Sequence, residues 1–227
     1  MRLRHRTACL PRKAATDPFL TPRKRLRAAR LYVITADAQP ERVVEAATAA
    51  LLGGADILQL RHKTLARGEL LDLARELRRV VTKGLFIVND HLDIAMLSGA
   101  DGVHLGPDDL SIASARRVAG DRLVIGASAS SVAAAHDAIK AGADYLGSGP
   151  AFATPIKTSK TVIGPAGVAE VAAAFPAVPV FAIGGIDEGN VAQLIELGVR
   201  RACVLRVVSG SADPERAARR LRAMLTG

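Results

Sequence analysis

From residue 31 onward, short aliphatic runs alternate with longer stretches in which apolar positions recur every three or four residues. The short runs suit buried parallel strands and the longer ones amphipathic helices, so their alternation predicts repeated strand-helix units around one parallel sheet. Eight units fit. Strands are predicted over 31–36, 56–61, 85–89, 102–105, 123–127, 145–148, 180–183 and 202–205, with helices over 41–52, 67–81, 92–98, 111–118, 132–141, 167–174, 188–197 and 214–225. The fragment Gly54-Ala55-Asp56 returns as Gly99-Ala100-Asp101 and as Gly142-Ala143-Asp144, each time between a helix and a strand, and Gly198 holds the same place before the eighth strand. Glycine suits the left-handed residue that follows a helix's last turn. Successive copies lie about two units apart, so the chain reads as one repeat wound round and not as two domains. Eight units in roughly 200 residues make a (β/α)8 TIM barrel, an α/β fold, the first choice and a doubly wound open sheet the alternative.

Charge changes this picture only at one end. Of 31 Lys and Arg residues, 10 fall in the first 30 positions against a single acid, Asp17, which leaves 21 basic and 21 acidic residues for 31–227. The formal charge of +9 therefore belongs to the tail, and the neutral body argues against a nucleic-acid face. Scarce aromatic residues and no Trp also argue against base stacking. The tail contains Pro11, Pro18 and Pro22 and lacks apolar periodicity, so we expect residues 1–27 to be a basic extension, irregular up to about Lys24, and 28–227 to be the barrel. A transit peptide would be Arg-rich too, but the tail has no serine, and a non-functional extension is the favoured reading. No run reaches the ~18 apolar residues of a membrane span. Cys9 and Cys203 offer neither a disulfide framework nor a zinc site, and a soluble, cytoplasmic protein of open oligomeric state is expected.

Polar residues gather after the strands, which is where loops of a parallel barrel converge on one crevice. The second strand runs into Gln59-Leu60-Arg61-His62-Lys63, where alternation sends Gln59, Arg61 and Lys63 to one side. An Arg fork beside a mobile Lys suits a polyanion; the plainer alternative is a salt bridge to a nearby acid such as Asp90. The third strand ends in Asn89-Asp90, and the turn after the fourth carries Asp108 and Asp109. Oxygen ligands without neighbouring His or Cys favour Mg²⁺, which is held by one or two carboxylates plus substrate phosphate oxygens. Asp90 and Asp109 are the candidate ligands, with helix capping as the alternative use and the one assigned to Asp108. His104 either fills the core or meets a ligand, and Ser128 either donates to a phosphate or caps a helix. The connection 149–165 is long for a compact barrel, and Thr154, Lys157, Thr158 and Lys160 suit it to closing over an anion. Ile183-Gly184-Gly185-Ile186 precedes a helix at the position where barrels often bind phosphate.

Together, Gln-x-Arg-x-Lys at 59–63, Asn89-Asp90, the Gly-x-His-x-Gly run from Gly102 leading to Asp109, Gly149-Pro150-x-Phe152-x-Thr154 and Ile183-Gly184-Gly185-Ile186 resemble the thiamine-phosphate synthase family from Leu31 to about Leu225. The resemblance implies a (β/α)8 barrel that joins 4-amino-5-hydroxymethyl-2-methylpyrimidine diphosphate to a thiazole phosphate and releases diphosphate, through a pyrimidine-stabilised cation. It implies that Gln59, Arg61, Lys63, Asn89, Ser128 and Lys157 serve the pyrimidine diphosphate, with Arg61, Lys63, Ser128 and Lys157 catalytic. Asp90 and Asp109 would hold Mg²⁺, and Thr154, Gly184, Gly185, Leu205 and Arg206 would take the thiazole phosphate. The chain departs from the family pattern at Ile156, where a second lid Thr is usual, at Arg206 in place of Ser, and at His62, in place of an acid and pointing away from the site. A thiazole tautomerase would share the fold without a metal site and would carry a His where Ser130 stands. A non-catalytic phosphate-ligand-binding barrel is the remaining alternative.

Overall fold

Eight short strands, each parallel to its neighbours, close on themselves in the computed structural model, which describes residues 21–154 and 161–227. They are β1 (Leu31–Ile34), β2 (Ile57–Leu60), β3 (Leu85–Asn89), β4 (Gly102–Leu105), β5 (Val124–Ser128), β6 (Tyr145–Ser148), β7 (Val180–Ile183) and β8 (Ala202–Val204). Leu31 pairs with Ala202 and Val33 with Val204, so β1 and β8 seal the ring and the open-sheet alternative is excluded. Around it lie α1 (Pro22–Ala28), α2 (Pro40–Leu52), α3 (Arg67–Val80), α4 (Leu92–Ser98), α5 (Ile112–Ala119), α6 (Val132–Lys140), α7 (Gly164–Ala174), α8 (Val191–Glu196), α9 (Arg206–Ser209) and α10 (Pro214–Thr226).

Strand alternation makes two layers. Leu31, Val33, Leu58, Phe86, Val88 and Val103 point outward into the main core, where the helices cover them. Tyr32, Ile57, Leu85, Ile87, Val124, Tyr145, Phe181 and Cys203 point inward. Both tyrosines of the chain are therefore inside the barrel, their rings 6.0 Å apart and each meeting Phe181 edge-on. Tyr145 lies where it does because β5 carries Gly126 opposite: a Cβ there would sit 2.1 Å from the phenol ring.

The repeated Gly-Ala-Asp fragment has a second purpose that its glycine alone did not disclose. Each aspartate stands at the foot of an even strand and accepts backbone N–H groups at the start of the odd strand before it. Asp56 takes Arg30 and Leu31, Asp101 takes Phe86, and Asp144 takes Ile125. The second oxygen of each recruits arginine, and two of those arginines come from α1: Arg25 pairs with Asp101 at 2.9 Å and Arg23 with Asp144 at 2.9 Å. Leu26, directly after Arg25, is 1% exposed and joins the interior cluster as its floor. The expectation of irregular chain up to Lys24 is thus corrected, because α1 starts at Pro22, with proline at its first turn, where the missing N–H costs nothing. A further addition is α9, a short helix directly after β8.

Candidate active site at the carboxyl ends of the strands

The inward parity that places Tyr32 and Ile57 in the barrel also delivers the polar residues to its mouth. Gln59 follows Ile57 by two positions, Asn89 follows Ile87, and Ser128 closes β5 two beyond Gly126. In the ladder Asn89 is level with His104, so these two flank each other across β3 and β4.

Asp90 follows Asn89 with φ of 64°, the only positive φ outside glycine among the described residues. Aspartate tolerates this left-handed conformation better than most side chains, but holding it there needs surrounding structure. The Asp90 amide donates to His104 O at 2.9 Å and His91 closes a tight turn onto Asn89 O at 2.7 Å, which together hold the twist. The result turns the Asp90 carboxyl toward Asp109, whose own Oδ2 accepts the Gly106 amide at 2.7 Å. The carboxyls of Asp90 and Asp109 are close enough to repel each other. Burial first, and then Asp109, push the Asp90 carboxyl up to about 6, against the opposing pull of Arg61 and Lys63. Two acids crowded together in a half-buried mouth are a site that a divalent cation would relieve. Neither caps a helix: Ser111 caps α5 through Ser114 N, and α4 starts at His91 without a side-chain cap.

Arg61 and Lys63 stand on the arm after β2, and the loop after β1 splints that arm. Thr35 Oγ1 accepts the Arg61 amide and donates to the Arg61 carbonyl, both at 3.0 Å. Asp37 accepts the Lys63 amide at 2.9 Å and pairs with the Arg61 guanidinium at 3.5 Å. The ion-pair alternative for Arg61 therefore holds, but with Asp37 and not with Asp90. His62, expected to point away from the site, bonds through Nε2 to Ala38 O at 2.9 Å but still lines the cavity beside Arg61 and Lys63. A cavity of about 250 Å³ opens here, lined by Arg61, Lys63, Asn89 and Asp90 among others.

Ser128 does not cap α6, whose cap is Ser131; its Oγ lies 3.1 Å from His104 Nε2. His104 faces the barrel and also meets the Tyr145 hydroxyl at 3.2 Å. On the opposite side, Gly184 and Gly185 have φ of 102° and 63°. A Cβ on Gly184 would meet Pro150 Cα at 2.7 Å, and one on Gly185 would meet Ala153 O at 2.5 Å. The pair is glycine because the β6–α7 connection lies directly on it, with Phe152 N donating to Gly184 O at 2.9 Å. Leu205 packs on the interior cluster, whereas Arg206 is exposed at the first turn of α9. Thr154 is the last described residue before Ile156, Lys157, Thr158 and Lys160, which lie outside the described residues. Sequence reasoning missed Thr35, Asp37, Tyr32 and Tyr145. Only strand parity could have flagged the tyrosines, and nothing in the pattern marks Asp37.

Fold and mouth together define a closed (β/α)8 barrel with an acid pair, an Arg-Lys arm and a glycine-lined turn around one opening. Residues 31–208 match the family model described as thiamine monophosphate synthase, and the chain belongs to that family. It is 46% identical over 211 residues to the thiamine-phosphate synthase of Thermobifida fusca, covering 90% of this chain and 96% of that protein. It is 44% identical to the thiamine-phosphate synthase of Gloeobacter violaceus over 86% of this chain, but spans only 57% of that longer relative. The solved thiamine phosphate pyrophosphorylase of Pyrococcus furiosus superposes with a TM-score of 0.80 at 36% identity, covering 90% of this chain and 97% of that one. No helix among the described residues is long and apolar enough to cross a membrane.

Proposed function

We propose that this protein is a thiamine-phosphate synthase: it condenses 4-amino-5-hydroxymethyl-2-methylpyrimidine diphosphate with 4-methyl-5-(2-phosphoethyl)thiazole, forming thiamine phosphate and releasing diphosphate. The observation that carries this reading is the acid pair Asp90–Asp109 beside Arg61 and Lys63, since a tautomerase or a passive phosphate binder has no need of it. Ser130, at the place where the tautomerase would have a His, points the same way.

The donor set fits Mg²⁺: two carboxylates for the ion, with room for diphosphate oxygens and water. Bound there, Mg²⁺ would neutralise charge that gathers on the departing diphosphate. Arg61 and Lys63 stabilise the same charge from the β2 arm, joined by Ser128 and, from the lid, Lys157. Gln59 and Asn89 orient the pyrimidine half, while Thr154, Gly184, Gly185, Leu205 and Arg206 hold the thiazole phosphate so that its nitrogen lies in line with the reacting carbon. Once the carbon–oxygen bond to diphosphate breaks, the thiazole nitrogen supplies the electron pair for the new bond, so no protein nucleophile is required. The reaction takes place in the barrel together with α1, within the cytoplasm, and the basic residues before α1 take no part.

Purified protein given both substrates and Mg²⁺ should yield thiamine phosphate and diphosphate, and Asp109→Ala should abolish the yield. Turnover that survives chelation of metal, or that is indifferent to Asp109→Ala, would sink the assignment.

A further inference from the structure

Five side chains from five strands form one file across the barrel interior. Gln59 Nε2 donates to the Tyr32 hydroxyl at 2.6 Å, Tyr32 meets the Tyr145 hydroxyl at 3.0 Å, Tyr145 meets His104 Nδ1 at 3.2 Å, and His104 Nε2 meets Ser128 Oγ at 3.1 Å. Its two ends are residues that the proposed function places on the diphosphate substrate. The three between them, Tyr32, Tyr145 and His104, have no role assigned in that reading.

The file has a direction. A buried hydroxyl proton needs an acceptor, so a phenol in this file that accepts from one neighbour gives its single proton to the other. Burial pushes both phenols well above their ordinary range, which keeps each proton in place. With an amide N–H at one end, Tyr32 accepts from Gln59 and donates to Tyr145, and Tyr145 donates to Nδ1. The imidazole proton then sits on Nε2 and is given to Ser128 Oγ. Ser128 thereby has its lone pair satisfied from within, and its own proton is released toward the mouth. Run the other way, the file would spend the Ser128 proton on Nε2 and turn oxygen lone pairs toward the opening. A diphosphate oxygen carries no proton at neutral pH, so only the first direction lets Ser128 bond to it.

We propose that Tyr32, Tyr145 and His104 are positioning residues that orient the Ser128 hydroxyl as a donor to a phosphate oxygen, in a direction imposed by the Gln59 amide on the far side of the barrel. The proposal rests on the diphosphate reading for its ligand, but not for its proton order. A one-way file also couples the two ends, because a ligand that reverses the Gln59 amide reverses Ser128 with it.

The proton order is read without substrate or turnover. In the full chain labelled with ¹⁵N-histidine at mildly alkaline pH, His104 should give the shifts of an Nε2–H imidazole. An Nδ1–H imidazole would overturn the proposal, and this measurement needs no variant to fold. Kinetics then test the role. Tyr145→Phe keeps the ring against Phe181 and removes only the hydroxyl; it should raise the KM for the pyrimidine diphosphate about tenfold, as loss of one charge-assisted bond would. The KM for the thiazole phosphate should hold. In a Ser128→Ala background the same change should add nothing, because the hydroxyl it orients is gone. A tenfold loss that persists in that background would show that Tyr145 is merely structural, and would overturn the proposal. Absence of turnover in the wild-type protein together with an Nε2–H imidazole would instead overturn the proposed activity and support the proton order.

Discussion

Replacing Asp90 by Asn should abolish activity and at the same time stabilise the metal-free protein. The Asp90 carboxyl lies at about 6 in the folded chain against an ordinary 3.8, pushed there by burial and by Asp109. A difference of about two units is worth ~3 kcal/mol for a group cut off from solvent. Asp90 is only half-buried, so screening reduces this to ~1 kcal/mol. The sign follows from proton uptake. Between pH 3.8 and about 6 the folded state binds the proton and the unfolded state does not, so this contribution favours the fold at low pH and is lost as pH rises through about 6. At pH about 8 the ionised Asp90 therefore costs the fold ~1 kcal/mol, which asparagine removes, and by pH about 5 roughly half of the gain has gone. Asparagine also accepts the left-handed φ of 64° and can donate to Asp109, so no new strain is added. Thermal unfolding without metal should show the variant melting ~2–4 °C higher at pH about 8, with a smaller gain at pH about 5. Added Mg²⁺ should raise the wild-type midpoint and leave the variant's unchanged. A variant that melts lower than wild type at pH about 8, or a gain independent of pH, would refute the claim that these carboxyls are forced together for a cation.

Two further outcomes follow from residues that the sequence pattern did not single out. Asp37→Ala should lower kcat/KM for the diphosphate substrate about tenfold by freeing the Lys63 amide, whereas Asp37→Asn, which keeps an acceptor, should stay within about threefold of wild type, since the Arg61 pair is long at 3.5 Å and its Asp37 end is open to solvent; equal losses would show the charge, not the splint, to matter. Deleting residues 1–20 should leave the melting temperature unchanged, whereas deletion through 27 removes Leu26 from the barrel floor and should lower it by about 8 °C, from ~3 kcal/mol of lost burial; equal midpoints would show that α1 is not part of the fold.

The order of the eight strands and of the eight helices paired with them was set by the sequence alone, whereas α1 and α9 were not foreseen. Period-two and period-three-to-four patterns are local properties of a chain, so strands β3, β4, β6 and β7 fall where the pattern put them, and the others differ by no more than two residues at either end. The acid pair, the Arg-Lys arm and the double glycine were legible for the same reason: each follows directly on a strand, and a parallel barrel brings all such positions to one rim. What only the tertiary structure decided is which residues meet across the ring. Asp37 is one strand away from Arg61 in space and 24 positions away in sequence, and its partnership depends on how two loops are laid side by side. Tyr32 and Tyr145 are 113 positions apart, and no local pattern could show that the closed barrel brings their hydroxyls to 3.0 Å. The same closure turned the arginines of α1 from an apparent tail into floor contacts. Asp101 and Asp144, which receive them, have a partner only once the strands are side by side. Periodicity encodes the direction in which each side chain points; closure of the barrel determines what it finds there.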